Sequence, residues 1–251
     1  MPQQNILHQG NKIRSYIGST LLFIGIFSSA TLIGIAILLT TPFPFAVRYR
    51  ISVAWCTFVL WMTKIFCGLT YEVEGLEHIN PKQPVIVLSN HQSAWETLAL
   101  RCLLPTQVVL LKRSLTWLPI WGWALATLKS IAIDRENQRA ALRILLEKGT
   151  PYLNQGLWVI IFPEGTRTAP GKVKKFSAGG AMLAQKSGYP VIPIAHNAGD
   201  FWPRYSFLKW PGVIKVKIGP AIESKGRKAT DINAEAEAWI AQAIEEMAKT
   251  Q

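Results

Sequence analysis

The sequence predicts an α/β domain, a mainly parallel sheet flanked by helices, with an N-terminal two-helix membrane hairpin. Three observations lead there. Residues 16–39 are almost wholly apolar. From residue 71 onward, short β-rich runs alternate with helix-like runs, the pattern of a parallel sheet covered on both sides. Two of those runs, VIVLS at 85–89 and LWVIIF at 157–162, are continuously apolar, as expected of strands buried on both faces. The expected division is residues 1–70 for the hairpin and 71–251 for the globular domain.

The hairpin comes first. No residue between Arg14 and Arg48 is charged, and 24 apolar residues at about 1.5 Å each make roughly 36 Å of helix, enough to cross a bilayer. The run is too long for the apolar core of a signal peptide. Thr41-Pro42-Phe43-Pro44 follows it instead of a small-residue cleavage site, so a retained anchor is expected. A second apolar stretch, 51–69, is broken by Lys64, and Pro42 and Pro44 mark the turn between the two. A two-pass hairpin would put Arg48 and Arg50 on the non-cytoplasmic side, against the positive-inside tendency. A hairpin that dips into one leaflet keeps Lys12, Arg14, Arg48 and Arg50 near one face, and is the preferred reading.

In the globular part, strands are expected at 85–89, 107–111, 130–133, 157–162, 191–195 and 213–218. Helices are expected at 94–104, 137–148, 179–187 and 232–249. In open α/β sheets, sites form at the carboxyl ends of strands, and the two most informative motifs fall there.

Composition sets the bounds. The 251 residues are 49% hydrophobic and 17% charged, which excludes a disordered chain. The net charge of +12 suggests an anionic partner. Residues 165–218 hold nine basic residues against one acid, Asp200. No zinc spacing or RNA-binding aromatic signature is present, so no nucleic-acid partner is expected. Cys56, Cys67 and Cys102 form no metal or redox pattern and read as small buried hydrophobes.

The first motif is Asn90-His91-Gln92-Ser93-Ala94-Trp95-Glu96. His91 follows a strand directly, and Glu96 falls in the helix after it. A histidine can take a proton from a hydroxyl, and a carboxylate on its other ring nitrogen fixes the tautomer. His8, His78 and His196 have no acid at the matching position. Ser93 reads as a helix cap. The spacing alone is a weak signal, since a surface His beside a solvated Glu gives the same pattern.

The second motif is Phe162-Pro163-Glu164-Gly165-Thr166-Arg167. Pro163 stops the strand. Gly165 permits positive φ or close approach. Thr166 offers a hydroxyl donor, and Arg167 a planar fork for two phosphate oxygens. Glu164 is a candidate to position that arginine or to bind a substrate hydroxyl. An ordinary turn with a surface arginine is the plain alternative. Lys172, Lys174 and Lys175 follow. They read equally as a solvated run or as contacts to anionic headgroups or to the phosphates of an acyl carrier.

Taken together, the two blocks resemble those of the 1-acyl-sn-glycerol-3-phosphate acyltransferase family, which carries an H-x4-D block and an F-P-E-G-T-R/S block in this order. Ile131-Ala132-Ile133-Asp134-Arg135 looks like the block between them, and Val191-Ile192-Pro193-Ile194 like the last. The likeness spans about residues 72–220, with Glu96 in place of the usual Asp and Ser130 where Gly is common. It implies the glycerolipid acyltransferase fold and an acyl transfer to the sn-2 hydroxyl of lysophosphatidic acid, making phosphatidic acid. His91 would be the base and Glu96 its orienter. Arg135 and the loop of Glu164, Gly165, Thr166 and Arg167 would bind the acceptor and its phosphate, helped by Lys112. A backbone donor near Gly165 would steady the oxyanion. The donor would be acyl-CoA or an acyl carrier protein, with no cofactor or metal. The expected location is the inner membrane, with the catalytic domain facing the cytoplasm. The apolar run 117–125 reads as acyl-chain or bilayer contact, or as core. Another acceptor, such as glycerol-3-phosphate or a lyso-ornithine lipid, stays open, as does a non-catalytic lipid binder.

Overall fold

The computed structural model describes residues 11–171 and 174–249. Helix α1 (Lys12–Leu39) starts at Asn11, whose side chain accepts from the N–H groups of Ile13 and Arg14. Helix α2 (Phe45–Cys67) starts after Pro44 and ends at Gly68, which takes a left-handed φ of 63°. The Arg48 guanidinium donates to the carbonyls of Thr41 and Phe43 at 2.9 and 2.8 Å. It thus closes the inter-helix turn instead of standing free.

Strand β1 (Leu69–Glu74) was not expected: the sequence reading ran the second helix to residue 69 and placed no strand there. Then follow β2 (Ile86–Ser89), α3 (Trp95–Leu103), β3 (Gln107–Lys112), a 3-10 turn (Arg113–Trp117) and α4 (Trp121–Thr127). Next come β4 (Ile131–Ile133), α5 (Gln138–Asn154), β5 (Trp158–Ile161), α6 (Gly179–Ser187) and β6 (Val191–His196). The chain closes with α7 (Ala198–Phe201), β7 (Gly212–Ile218) and α8 (Ala229–Lys249). The short α4 and α7 were also unforeseen. Helix α5 runs six residues past the expected 148, through Pro151.

The seven strands lie in the order β1-β7-β6-β2-β5-β3-β4. β6, β2, β5, β3 and β4 are mutually parallel. β7 runs antiparallel to β6, and β1 pairs parallel to β7. The sheet is therefore mainly parallel, with a reversed pair at one edge. Alternate residues face opposite layers. Val87, Trp158, Ile160, Ile192 and Ile194 pack with α2 and α3. Ile86, Leu88, Val159 and Ile161 pack with α5, α6 and α8. That double burial is why these strands read as unbroken apolar runs.

Helix α1 lies along the globular part. Its Ser19 hydroxyl accepts from Lys209 N–H at 2.9 Å. Phe23 meets Phe207 at 6.1 Å between centroids, and Phe27 meets Trp121 edge-on at 4.9 Å. α1 and α2 are each long and apolar enough to cross a membrane, and α1 leaves Ile17, Phe23, Ile24, Phe27 and Leu32 exposed.

Candidate active site

The carboxyl ends of β2, β4, β5 and β6 converge. β2 delivers Asn90 and His91, β5 delivers Phe162, β6 ends at His196, and β4 leads to Arg135. The alternation that puts Ile160 and Ile194 on the α3 face also puts Phe162 and His196 there.

His91 Nδ1 lies 2.6 Å from Glu96 Oε1, and Glu96 is fully buried. Glu96 stands in the first turn of α3, close enough for its carboxylate to gather the backbone N–H groups of Gln92 at 3.1 Å and Ser93 at 3.0 Å. Burial acts to raise this carboxyl's pKa. The His196 and His91 rings and the Ser93 N–H outweigh it and hold the group below its ordinary value. The Ser93 hydroxyl accepts from Trp95 N–H at 3.2 Å, but Ala94, not Ser93, holds the N-cap position of α3. With Nδ1 engaged, Nε2 is the ring atom left for a substrate proton. The ring itself lies flat on Phe162, with centroids 4.2 Å apart.

The second loop is tied to the first through a residue the sequence reading passed over. Thr168 donates its N–H to the His91 carbonyl at 2.8 Å, and its hydroxyl donates to Glu164 Oε2 at 2.8 Å. Glu164 is thus turned toward Thr168, and among the described residues it forms no ion pair with Arg167. Burial raises its pKa to about 7, helped by the Glu96 charge and opposed by Thr168, the His91 backbone and Lys174. Thr166 makes no comparable bond among the described residues. Gly165 has φ 70°, and a Cβ there would meet nothing within 4 Å, so the space above it is open. Its N–H is already bonded to the Phe162 carbonyl at 3.0 Å, which removes it as a free oxyanion donor.

Arg135 reaches the same loop, donating from Nη1 to the Gly165 carbonyl at 2.6 Å. Burial and the Arg167 charge lower its pKa. Lys112, at the exposed end of β3, makes no hydrogen bond to either loop among the described residues. Lys174 and Lys175 are exposed beside the loop. Lys172 lies outside the described residues.

A clamp behind His91 was also missed. Asn90 Nδ2 donates to the His196 carbonyl at 2.9 Å, and Asn90 Oδ1 accepts from His196 N–H at 3.0 Å. The buried His196 ring completes it: Nε2 donates to the Asn90 carbonyl at 2.9 Å, and Nδ1 accepts from Ala198 N–H. Burial lowers its pKa, against the pull of the Glu96 charge. His196 has no acid five residues on, so a search by the first motif's spacing discards it. Its position at a strand end was the available signal.

A mainly apolar cavity of about 310 Å³ lies between the hairpin and α4. Its lining includes Ile33, Gly34 and Trp55 of the hairpin, Ala124 of α4, and Thr97 and Arg167. Among the described residues, no group of three His, Cys, Asp or Glu is placed to hold a metal ion.

Comparison with known proteins gives concordant results. Residues 70–197 match the family model described as Acyltransferase. A 1-acyl-sn-glycerol-3-phosphate acyltransferase of Pseudomonas aeruginosa is 47% identical over 212 residues, 83% of this chain and 82% of that protein. The alpha form of the same enzyme from Bos taurus is 33% identical over 173 residues, 68% of this chain and 60% of that one. The crystal structure of a Thermotoga maritima 1-acyl-sn-glycerophosphate (LPA) acyltransferase superposes with a TM-score of 0.78 at 25% identity, covering 94% of this chain and 97% of that one.

Proposed function

The chain belongs to the 1-acyl-sn-glycerol-3-phosphate acyltransferase family, and from that premise we propose how its residues divide the work of making phosphatidic acid. The acceptor is 1-acylglycerol 3-phosphate, and its sn-2 hydroxyl is esterified. His91 Nε2 takes the hydroxyl proton as the oxygen attacks the thioester carbonyl of the donor. Glu96 keeps the other nitrogen protonated and stabilises the imidazolium. The collapsing tetrahedral intermediate releases the thiol, which recovers the proton from His91. Arg135 and Arg167 hold the acceptor phosphate. Thr168 links that loop to the His91 backbone, so phosphate and base are held in one frame.

The donor is acyl-CoA or an acyl carrier protein, a thioester in either case. Its acyl chain runs into the mainly apolar cavity between the hairpin and α4, whose lining includes Arg167 and Thr97, the residue after Glu96. This gives the run 117–125 its acyl-chain role.

The hairpin seats in the cytoplasmic leaflet of the inner membrane, with the catalytic domain facing the cytoplasm. The contacts of α1 support one leaflet over a full crossing. From Ser19 to Gly34 it touches Lys209, Phe207, Trp121 and Ile120, about 23 Å of helix. A crossing helix would drag those loops and Lys209 deep into hydrocarbon.

The observation that carries the reading is the 2.6 Å His91–Glu96 contact beside the arginine loop. Its test is His91→Ala, purified in detergent, given acyl-CoA and 1-acylglycerol 3-phosphate with thiol release followed. Turnover is expected to fall by roughly 10³-fold. Turnover near that of the unmodified chain would remove His91 as the base.

A further inference from the structure

Three arginines converge on one short loop, and one of them has no place in the family's motif blocks. Arg135 donates to the Gly165 carbonyl at 2.6 Å. Arg204, in the segment between α7 and β7, donates from Nη1 to the Arg167 carbonyl. The two guanidiniums thus grip the loop at carbonyls two residues apart, one of them that of Arg167 itself. Arg204 also donates from Nη2 to Tyr205 Oη at 2.9 Å, with its guanidinium carbon 4.4 Å from the centre of that ring. The Arg167 charge acts on both Arg135 and the Tyr205 hydroxyl, so these groups share one neighbourhood.

Among the described residues, none of the six ion pairs includes Arg135, Arg167 or Arg204. Like charges gathered without an ion-pair partner are unfavourable, and a bound anion relieves them. Tyr205 adds a second sign of a built site. Its φ is 60°, a left-handed conformation that is unfavourable for a residue with a Cβ. It is held there on Arg204 although its side chain is exposed. The segment is also placed at the right depth: Phe207 packs on Phe23 and Lys209 N–H bonds Ser19, both on the membrane hairpin.

We propose that Arg204, seconded by the Tyr205 hydroxyl, is the third arm of the acceptor-phosphate site and selects a phosphomonoester headgroup over a phosphodiester. The chemistry matches. A phosphomonoester carries close to two charges and three terminal oxygens at neutral pH, while a diester carries one charge and two such oxygens. Two guanidinium forks satisfy a diester. The third has a partner only when the third oxygen is free. This inference rests on the acceptor reading given above.

The test uses the full chain in detergent with a saturating acyl donor. The KM for 1-acylglycerol 3-phosphate is measured, along with the Ki of the matching lysophosphatidylglycerol, a phosphodiester, as a competitor. For Arg204→Gln the monoester KM is expected to rise about 10- to 100-fold. The diester Ki and the donor KM should stay within about twofold, so selectivity for the monoester falls at least about fivefold. Tyr205→Phe should lose about threefold by the same measure. If Arg204→Gln does not fold, Arg204→Lys carries the comparison, because it keeps the charge and loses the fork. An unchanged monoester-to-diester ratio, even with both affinities weakened, would reduce Arg204 to a prop for the loop and overturn the proposal. An unmodified chain that acylates no 1-acylglycerol 3-phosphate would overturn the acceptor reading itself, and this inference with it.

Discussion

The imidazole of His91 lies on the ring of Phe162 at 4.2 Å between centroids, with 19° between their planes. Each ring follows the end of a central strand, and β2 and β5 are hydrogen-bonded neighbours. The plate under the base is therefore as rigid as the sheet. Phe162→Leu keeps most of the buried volume and should cost less than about 1.5 kcal/mol. It removes the flat support while leaving the acceptor site alone. The expected result is a kcat about tenfold lower with acceptor KM within twofold, read from initial rates at varied acceptor. A KM rise with kcat unchanged would place Phe162 in substrate binding instead.

Glu96→Gln separates charge from simple packing. Its volume is nearly that of Glu96. His91 Nδ1 and the N–H groups of Gln92 and Ser93 all meet Oε1, and Ser93 N–H also reaches Oε2. An amide oxygen in the Oε1 place keeps these bonds and the His91 tautomer, but its NH₂ then faces Ser93 N–H, and the negative charge that stabilises the imidazolium is gone. Activity is expected to drop by roughly 10³-fold. Glu96→Asp restores the charge at shorter reach, and should lose only about tenfold. Equal losses in the two variants would argue against the charge account.

Glu164 predicts a pH dependence of stability. Burial lifts its pKa to about 7 in the folded chain, against about 4.3 for an exposed glutamate. Between those values the folded state holds a proton that the unfolded state has lost. Stability from this group is thus greatest below about pH 4.3 and declines as pH rises through 7. Glu164→Gln removes the decline. Against the unmodified chain, it should gain about 2 kcal/mol at pH 8 and nothing at pH 4, read from thermal unfolding in detergent. A gain independent of pH would show that the carboxyl's charge is not the cause.

Much of this architecture was legible because burial writes itself plainly into sequence. β2 and β5 are covered on both faces, so 85–89 and 157–162 are apolar without interruption. β1 was not legible: LTYEVE is an edge strand with three half-buried or exposed polar positions, and it directly follows an apolar helix that absorbs Leu69 by pattern. The motif residues His91, Glu96 and Arg167 could be picked out by chemistry and order. Thr168 and the Asn90–His196 clamp could not, because the first depends on β2 and β5 lying side by side and the second on β2 and β6, a pairing of residues 106 apart. The pointing of Glu164 toward Thr168 is likewise a tertiary fact. A turn that puts both in one loop does not say which neighbour each will face.

The cavity gives the last prediction. Ala124 of α4 is 4% exposed and faces the space lined by Ile33, Gly34 and Leu125. If the donor's acyl chain fills that space, a larger side chain at 124 shortens the room available. Each buried methylene contributes about 0.8 kcal/mol, close to a fourfold effect on binding. Ala124→Phe should therefore cut kcat/KM for long-chain donors by tenfold or more while leaving short-chain donors nearly unchanged. An acceptor series with varied chain length serves as the control and should show no such trend. The opposite pattern, with acceptor length penalised and donor length tolerated, would give the cavity to the lysolipid's own chain. Overpacking, which costs about 1–3 kcal/mol when there is no space to fill, would lower the melting temperature and reduce all donors alike. A length-dependent loss therefore separates occupancy of the cavity from damage to the hairpin's seat.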